Sequence, residues 1–305
     1  MLINLINILF LLILPFLFIG IINKTKAFWT GRKGPSVFQA FYDFIKLIKK
    51  DMVVSNVTSI VFSVAPAITF ASILFAGLFV PLAANKSIIN VEGSFILFAY
   101  ILGLGKFFSL IGAMDTGSSF EGMGASREAS FSTIVEPAFF VIMASIIALT
   151  GNYTFKSISL IIQKADGIGF LIIILAIISL FIMLLVEGCR VPVDDPDTHL
   201  ELTMIHEVMV LDNSGFDLGL IFYGSAMKMV IISSLIANIL MPVNLSFGTS
   251  IVLYLVIITI LAIIIGTLES SIARLRMSHV FEFIFVMSSF SLIILSLTAI
   301  TLYGN

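Results

Sequence analysis

Apolar runs of roughly 20 residues recur along this chain, each long enough to cross about 30 Å of hydrocarbon as a helix. Eight such spans are predicted, over about 2–22, 56–82, 94–114, 129–150, 168–187, 219–242, 249–270 and 281–303. The pattern predicts an all-α, polytopic integral membrane protein of about eight transmembrane helices, with residues 1–305 forming a single transmembrane domain. The first run, Met1 to Ile22, has no basic stretch ahead of it, and no small-residue cleavage site follows. It is expected to be a retained helix rather than a signal peptide.

Composition sharpens this picture. The chain is 59% hydrophobic, with charges at 11% of positions and a mean hydropathy of +1.17. So few long polar connections leave no material for a soluble domain, and any chemistry needing large cofactors has to come from partners. The single cysteine, Cys189, excludes an intrachain disulfide and every multi-cysteine metal or iron–sulfur site. The net charge of −2 does not distinguish among partners, and no nucleic acid is expected.

Basic residues set the expected orientation. Placing the first connection inside puts Lys24, Lys26, Arg32, Lys33, Lys46, Lys49, Lys50, Arg127, Arg190, Arg274 and Arg276 on one side, against Lys86, Lys156 and Lys164 on the other. The positive-inside rule then puts both termini on the outer face of the cytoplasmic membrane. Lys106 and Lys228 fall within spans.

Three inside connections carry signals. Within residues 23 to 55, Val37, Phe38, Phe41, Phe44, Ile45 and Ile48 recur at helical spacing among charged positions. They predict an amphipathic interfacial helix over about 35–50, either anchoring the chain at the lipid surface or roofing a lateral opening between spans. The second connection, Asp115 to Glu128, is glycine-rich, yet no strand precedes it and it lacks the phosphate-loop and dinucleotide patterns. Its small residues are expected to allow tight packing against another subunit.

The third connection, about 187–218, is a polar island: Glu187-Gly-Cys-Arg190-Val-Pro192-Val-Asp194-Asp195-Pro196-Asp197-Thr-His199-Leu-Glu201-Leu-Thr-Met-Ile-His206-Glu207. Half-desolvated charge costs several kcal/mol, so an island between long apolar runs points to ion handling or a docking surface. Asp195 and Pro196 predict a helix start, and Ser214-Gly215 its stop. His199 and His206 would share a face of that helix. Without H-E-x-x-H or further histidines nearby, no metal site is expected, leaving interfacial packing, proton exchange or partner docking.

Five ionisable residues fall inside predicted spans: Lys106, Glu136, Glu187, Lys228 and Glu269. At membrane depth such groups pair with one another, face the protein interior or meet water, and a chain of them is a route for protons. Glu136 is the sharpest relay candidate, because Pro137 removes an amide and loosens the helix beside it.

Glu187-x-x-Arg190-x-Pro192-x-Asp194, the island with Ser214-Gly215, the early Gly31-Arg-Lys-Gly34-Pro35 and the segment Gly124-Ala-Ser-Arg127-Glu128 together resemble the subunit 1 family of respiratory complex I. The likeness covers essentially the whole chain. It looks closest to the membrane subunits of group 4 nickel–iron hydrogenases, the formate hydrogenlyase and hydrogenase-4 type. Quinone-reducing members end a shorter island with Glu-Tyr-Ser-Gly, whereas this chain reads Leu211-Asp212-Asn213-Ser214-Gly215 without the tyrosine. That departure favours the hydrogenase branch.

The resemblance implies a membrane anchor and proton-path subunit of a hydrogenase complex. Its partners would be the hydrogenase large and small (iron–sulfur) subunits, antiporter-like membrane subunits and the lipid bilayer. No cofactor would sit in this chain; the nickel–iron centre and iron–sulfur clusters belong to partner subunits. Carboxylates matching Glu136 and Glu187 belong to the family's buried acidic axis, and Arg190, Asp194 and Glu201 to the loop facing the hydrophilic arm. The expected proton path is Glu136, Glu187, Lys106, Lys228 and Glu269. The expected docking surface is Arg190, Asp194, Asp195, Asp197, Glu201, His206, Glu207, Arg127 and Glu128. The alternatives are a quinone-site subunit of an NADH-quinone oxidoreductase, or an independent secondary transporter. No inverted repeat supports the transporter, and few midspan helices are broken by Gly or Pro.

Overall fold

The computed structural model describes residues 2–82, 87–162, 167–195, 204–242 and 245–303. Among these the regular structure is entirely helical: α1 (Leu2–Trp29), α2 (Gln39–Ile48), α3 (Ile60–Gly77), α4 (Ser94–Asp115), α5 (Ser119–Thr150), α6 (Lys156–Leu160), α7 (Gly167–Glu187), α8 (Gly215–Leu240), α9 (Phe247–Ser271) and α10 (Met277–Tyr303), with one 3-10 turn at Glu207–Val210. Eight of them, all but α2 and α6, are long and apolar enough to cross a membrane. The chain is a multi-pass membrane protein.

The helix starts have local causes. Ser59 caps α3 by accepting from the Val61 amide at 3.2 Å, and Ser246 caps α9 by accepting from the Thr249 amide at 3.4 Å. A second cap on α3 comes from far away. Asp115, the last residue of α4, accepts from the amides of Ser59 at 2.7 Å and Phe62 at 3.2 Å. Its negative charge lies at the positive end of α3 and ties the two helices together.

α8 is the axis of the bundle. Of its most apolar stretch 78% is buried, against 22% for α4, and it packs on α1, α2, α3, α7 and α9. α10 closes the far side on α5 and α7. Ile231, Ile232, Leu235 and Ile236 of α8 join Ile142, Met143 and Ile146 of α5 and Leu180 and Leu184 of α7 in one continuous core.

α2 takes the place expected of the amphipathic helix. Phe44 rests on α8, where its ring meets Tyr223 at 4.9 Å. Phe38, Phe41, Tyr42 and Ile48 remain exposed on the outside. The segment thus sets Phe44 against the bundle and leaves its other aromatics exposed. A Cβ at Gly20 of α1 would collide with the Val37 carbonyl oxygen, so the missing side chain lets the segment leading into α2 lie against α1.

Two boundaries differ from the sequence expectation. α5 begins at Ser119, ten residues before the predicted 129, so the connection after α4 is only residues 116–118, and Arg127 and Glu128 stand on a helix. Ser214-Gly215 starts α8 instead of ending an island helix, and the described residues 204–214 hold only the 3-10 turn. The reason is tertiary. The Ser214 hydroxyl accepts from the Val53 amide at 2.9 Å and donates to the Val53 carbonyl at 3.1 Å, which binds the extended entry of α8 to the chain after α2.

Candidate functional site

The charged residues of the spans assemble into two groups at the end of the bundle where the island lies. The first joins four helices. Lys106 of α4 reaches Glu187 at the end of α7 at 2.5 Å and Glu128 of α5 at 3.3 Å, and Lys228 of α8 reaches the other oxygen of Glu187 at 3.1 Å. Two cations thus share two carboxylates, and Glu187 accepts from both lysines. Charges so deep are tolerable only because each is paired; removing one partner strands the others in a medium that solvates them poorly. Glu128, expected on a docking loop, belongs to this cluster because α5 starts well before its apolar pattern indicates.

These groups line a cavity of about 100 Å³ whose other walls are largely apolar, including Phe98, Leu102 and Phe139, with His206, Asn213 and Ser225 among the polar exceptions. Glu136 lines it too. Glu136 was expected to pair, face the protein interior or meet water; it lies on the exposed side of α5, in a stripe with Ser126, Ser130, Thr133, Pro137, Ala144 and Ala148. The cavity therefore runs from the ion cluster to the outer surface of this chain.

The second group is built on Glu269. Its buried carboxylate takes Arg190 at 3.3 Å on one oxygen and Lys26 at 3.1 Å on the other, while the Arg190 Nε donates to the Met229 sulfur at 3.4 Å. Glu269 therefore does not meet the Lys106 cluster; it ties α1 and α9 to the turn after α7. That turn is sharp. Gly188 donates to Leu184, Cys189 to Val186 and Arg190 to Leu185, a helix ending that needs a left-handed residue, here Cys189 at φ 51°. Burial pushes the Cys189 thiol up from its ordinary value, so it remains protonated.

Asp194 was expected on an exposed docking surface, and the structure corrects this. It is 1% exposed. One oxygen accepts from the amides of Ile205 and His206 at 3.1 Å each; the other accepts from the Asp195 amide at 2.9 Å and pairs with Arg274 at 2.9 Å. Asp194 pins the two ends of the island together, and the Leu275 amide donates to the Pro192 carbonyl at 3.0 Å to hold the same base against the entry of α10. Arg190 is likewise buried. Arg127 donates to the Met204 carbonyl at 2.8 Å, so it supports the island from below. Asp195 and Glu207 are half-buried at its edge. Asp197, His199 and Glu201, together with the expected helix start at Pro196, lie outside the described residues.

The glycine-rich segment was expected to serve contact with another subunit. Gly124 instead abuts this chain's own island: a Cβ there would meet the Val208 side chain and come within 2.8 Å of the Ile205 carbonyl.

A second cavity, about 350 Å³, opens between α1, α2 and α8 and is lined by Asn23, Gln39, Asp43, Cys189, Arg190 and Glu207 among others. Phe16 stacks on Tyr223 at 4.6 Å within its wall, and the Tyr223 hydroxyl donates to the Leu12 carbonyl at 2.8 Å. Sequence reasoning missed Lys26, Arg274, Asp115 and Tyr223 as site residues. The first two were counted only as topology signals, and nothing local marks their partners.

Comparison with known proteins agrees with this architecture. The chain is 28% identical to hydrogenase-4 component C of Escherichia coli (strain K12) over 87% of its length and 85% of that protein. It is 26% identical to formate hydrogenlyase subunit 4 of the same organism, over 85% of each. With NADH-ubiquinone oxidoreductase chain 1 of Chondrus crispus it shares 26% identity over 70% of this chain and 66% of that one. The fold is shared with a chain of the membrane-bound sulfane sulfur reductase, an archaeal respiratory membrane complex, at a TM-score of 0.79 and 20% identity over 96% and 97% of the two chains. Residues 2–301 match the NADH dehydrogenase family, and the chain belongs to that family, the one that holds subunit 1 of respiratory complex I.

Proposed function

We propose that this chain is the membrane-anchor and proton-path subunit of a membrane-bound hydrogenase complex in the cytoplasmic membrane, with both termini on the outer face. It docks a peripheral arm that carries the nickel–iron centre and iron–sulfur clusters, and couples electron transfer there to ion movement. The observation that carries this reading is the Lys106–Glu187–Lys228–Glu128 cluster beneath the pinned island, with Glu136 continuing the same cavity to the outside of α5. A carboxylate on the exposed face of a spanning helix is too costly against lipid, so a further membrane subunit is expected to cover it. The likeness to hydrogenase-4 component C and formate hydrogenlyase subunit 4 favours a hydrogenase partner.

Electron transfer in the arm acts on this cluster only by changing the charge or hydration around it. The island is the part of the chain suited to do so, since Arg127 joins it to α5, the helix that also bears Glu128. Purification in mild detergent through a tag on this chain tests the reading. Nickel and iron–sulfur proteins should co-purify, and a chain recovered alone and folded would overturn it. The aromatic-walled cavity between α1, α2 and α8 favours one second reading, a quinone-site subunit; quinone-dependent NADH oxidation by a nickel-free complex would select it.

A further inference from the structure

His206 belongs to the walls of both cavities, the one holding Lys106, Glu187 and Lys228 and the one between α1, α2 and α8. Ser225 of α8 also lines both. The two spaces therefore adjoin at these two residues. The backbone of His206 is fixed, since its amide donates to Asp194 at 3.1 Å and its carbonyl accepts from Met209 at 3.0 Å. Its Nε2 is enclosed and has no hydrogen-bond partner among the described residues. The Asn213 Oδ1, on the wall of the ion-cluster cavity, is in the same condition. Enclosed polar atoms of this kind are satisfied by water, and both cavities are larger than the space one water needs.

We propose that His206 is the proton-passing partition between the two cavities, connecting the space beside Cys189 and Arg190 to the Glu187 cluster. The proposal rests on the proton-path reading above and names a residue that reading lacks. The neutral ring takes a proton from water at its bare nitrogen and becomes imidazolium; it then releases the proton on its other nitrogen to water on the far side, which leaves the opposite tautomer, and a ring flip restores the starting one. No electron moves, and one proton crosses per completed cycle.

The surroundings suit a group that does not hold its proton. Burial, and then the Lys228 ammonium, keep the imidazole below its ordinary value, while the carboxylates of Glu128, Asp194 and Glu187 oppose them. Four elements thus bear on the ring: α8 through Lys228, α5 through Glu128, the island through Asp194 and α7 through Glu187.

The intact membrane complex, reconstituted in vesicles, tests this by two measurements: proton translocation per electron pair, and hydrogen evolution from reduced methyl viologen, which reports the peripheral arm alone. In His206→Gln, which keeps a hydrogen-bonding side chain but cannot titrate, translocation should slow by roughly a hundredfold. The histidine limb of the pH profile of translocation should vanish. Ser225→Val, which alters the partition from the α8 side, should slow translocation as well while viologen activity stays near wild type, and decides the matter if His206→Gln does not assemble. Wild-type translocation in either variant, while Glu187→Gln abolishes it, overturns the partition and leaves the proton-path reading standing. Wild-type translocation in Glu187→Gln too overturns both.

Discussion

The Lys106 ammonium and the Glu187 carboxylate meet at 2.5 Å although 81 positions separate them, and the second oxygen of Glu187 is taken by Lys228 at 3.1 Å. Glu187 is therefore the hinge of the cluster, and Glu187→Gln would leave two ammonium groups facing one another across a small cavity. The expected cost is about 3–5 kcal/mol of stability, because breaking one member of a buried pair strands the rest. Pairing it with Lys228→Met, which removes one stranded charge, should recover a good part. Thermal denaturation of the purified complex checks both. Equal loss in the single and double variants would refute the shared-carboxylate arrangement.

Asp194 and Arg274 act as one fastener, since the carboxylate that pairs with Arg274 also holds the amides of Ile205 and His206. Asp194→Ala should cost more than Arg274→Ala, because three amides lose their acceptor as well as one cation its partner. The double variant should fall short of the sum, with a coupling of about 0.5–3 kcal/mol. A double-mutant cycle on unfolding temperature measures it, and strict additivity would show that the pair does not act together.

Gly124 lets α5 lie directly on the island, with no side chain between them. Gly124→Leu should displace residues 205–209 and lower the yield of assembled complex, while Gly122→Leu, at a position with open space around it, should be tolerated. Parallel expression of the two variants is the comparison, and equal yields would contradict the contact.

Acid should weaken the protein through His206. The folded chain holds this imidazole below its ordinary value of 6.5, whereas the unfolded chain regains that value. The stability contributed by the neutral ring is complete above that ordinary value and is lost as pH falls toward the folded one, because the unfolded state binds the proton first. Melting temperature followed from neutral pH down to about 5, a window set by the ordinary histidine range, should therefore decline more steeply in wild type than in His206→Gln.

The eight spans were legible in the sequence because each is a run of apolar residues that no soluble fold would need. The island and the five intramembrane charges were legible for the complementary reason, as costly groups in an apolar chain. What the sequence concealed was pairing. Glu269 looks like a fifth member of one relay, yet it sits with Arg190 and Lys26, and Glu128 looks like a loop residue, yet it joins Lys106. The early turns of α5 were concealed as well, since Glu121, Arg127 and Glu128 dilute its apolar pattern. Their side chains find partners at Asp212, Met204 and Lys106, and that allows the helix to start early. Asp194 misled in the opposite direction: a carboxylate among carboxylates reads as surface, and only the three amides folded around it make it interior.

At 32 residues, α5 spans roughly 48 Å, against roughly 33 Å for the 22 residues of α4. An oily layer about 30 Å deep cannot swallow such a rod, so its polar end projects as a mast. Glu128 and Glu136 ride on that mast roughly 12 Å apart in height. A push from whatever grips the protruding tip would thus be delivered to both acids at once, by leverage instead of by diffusion.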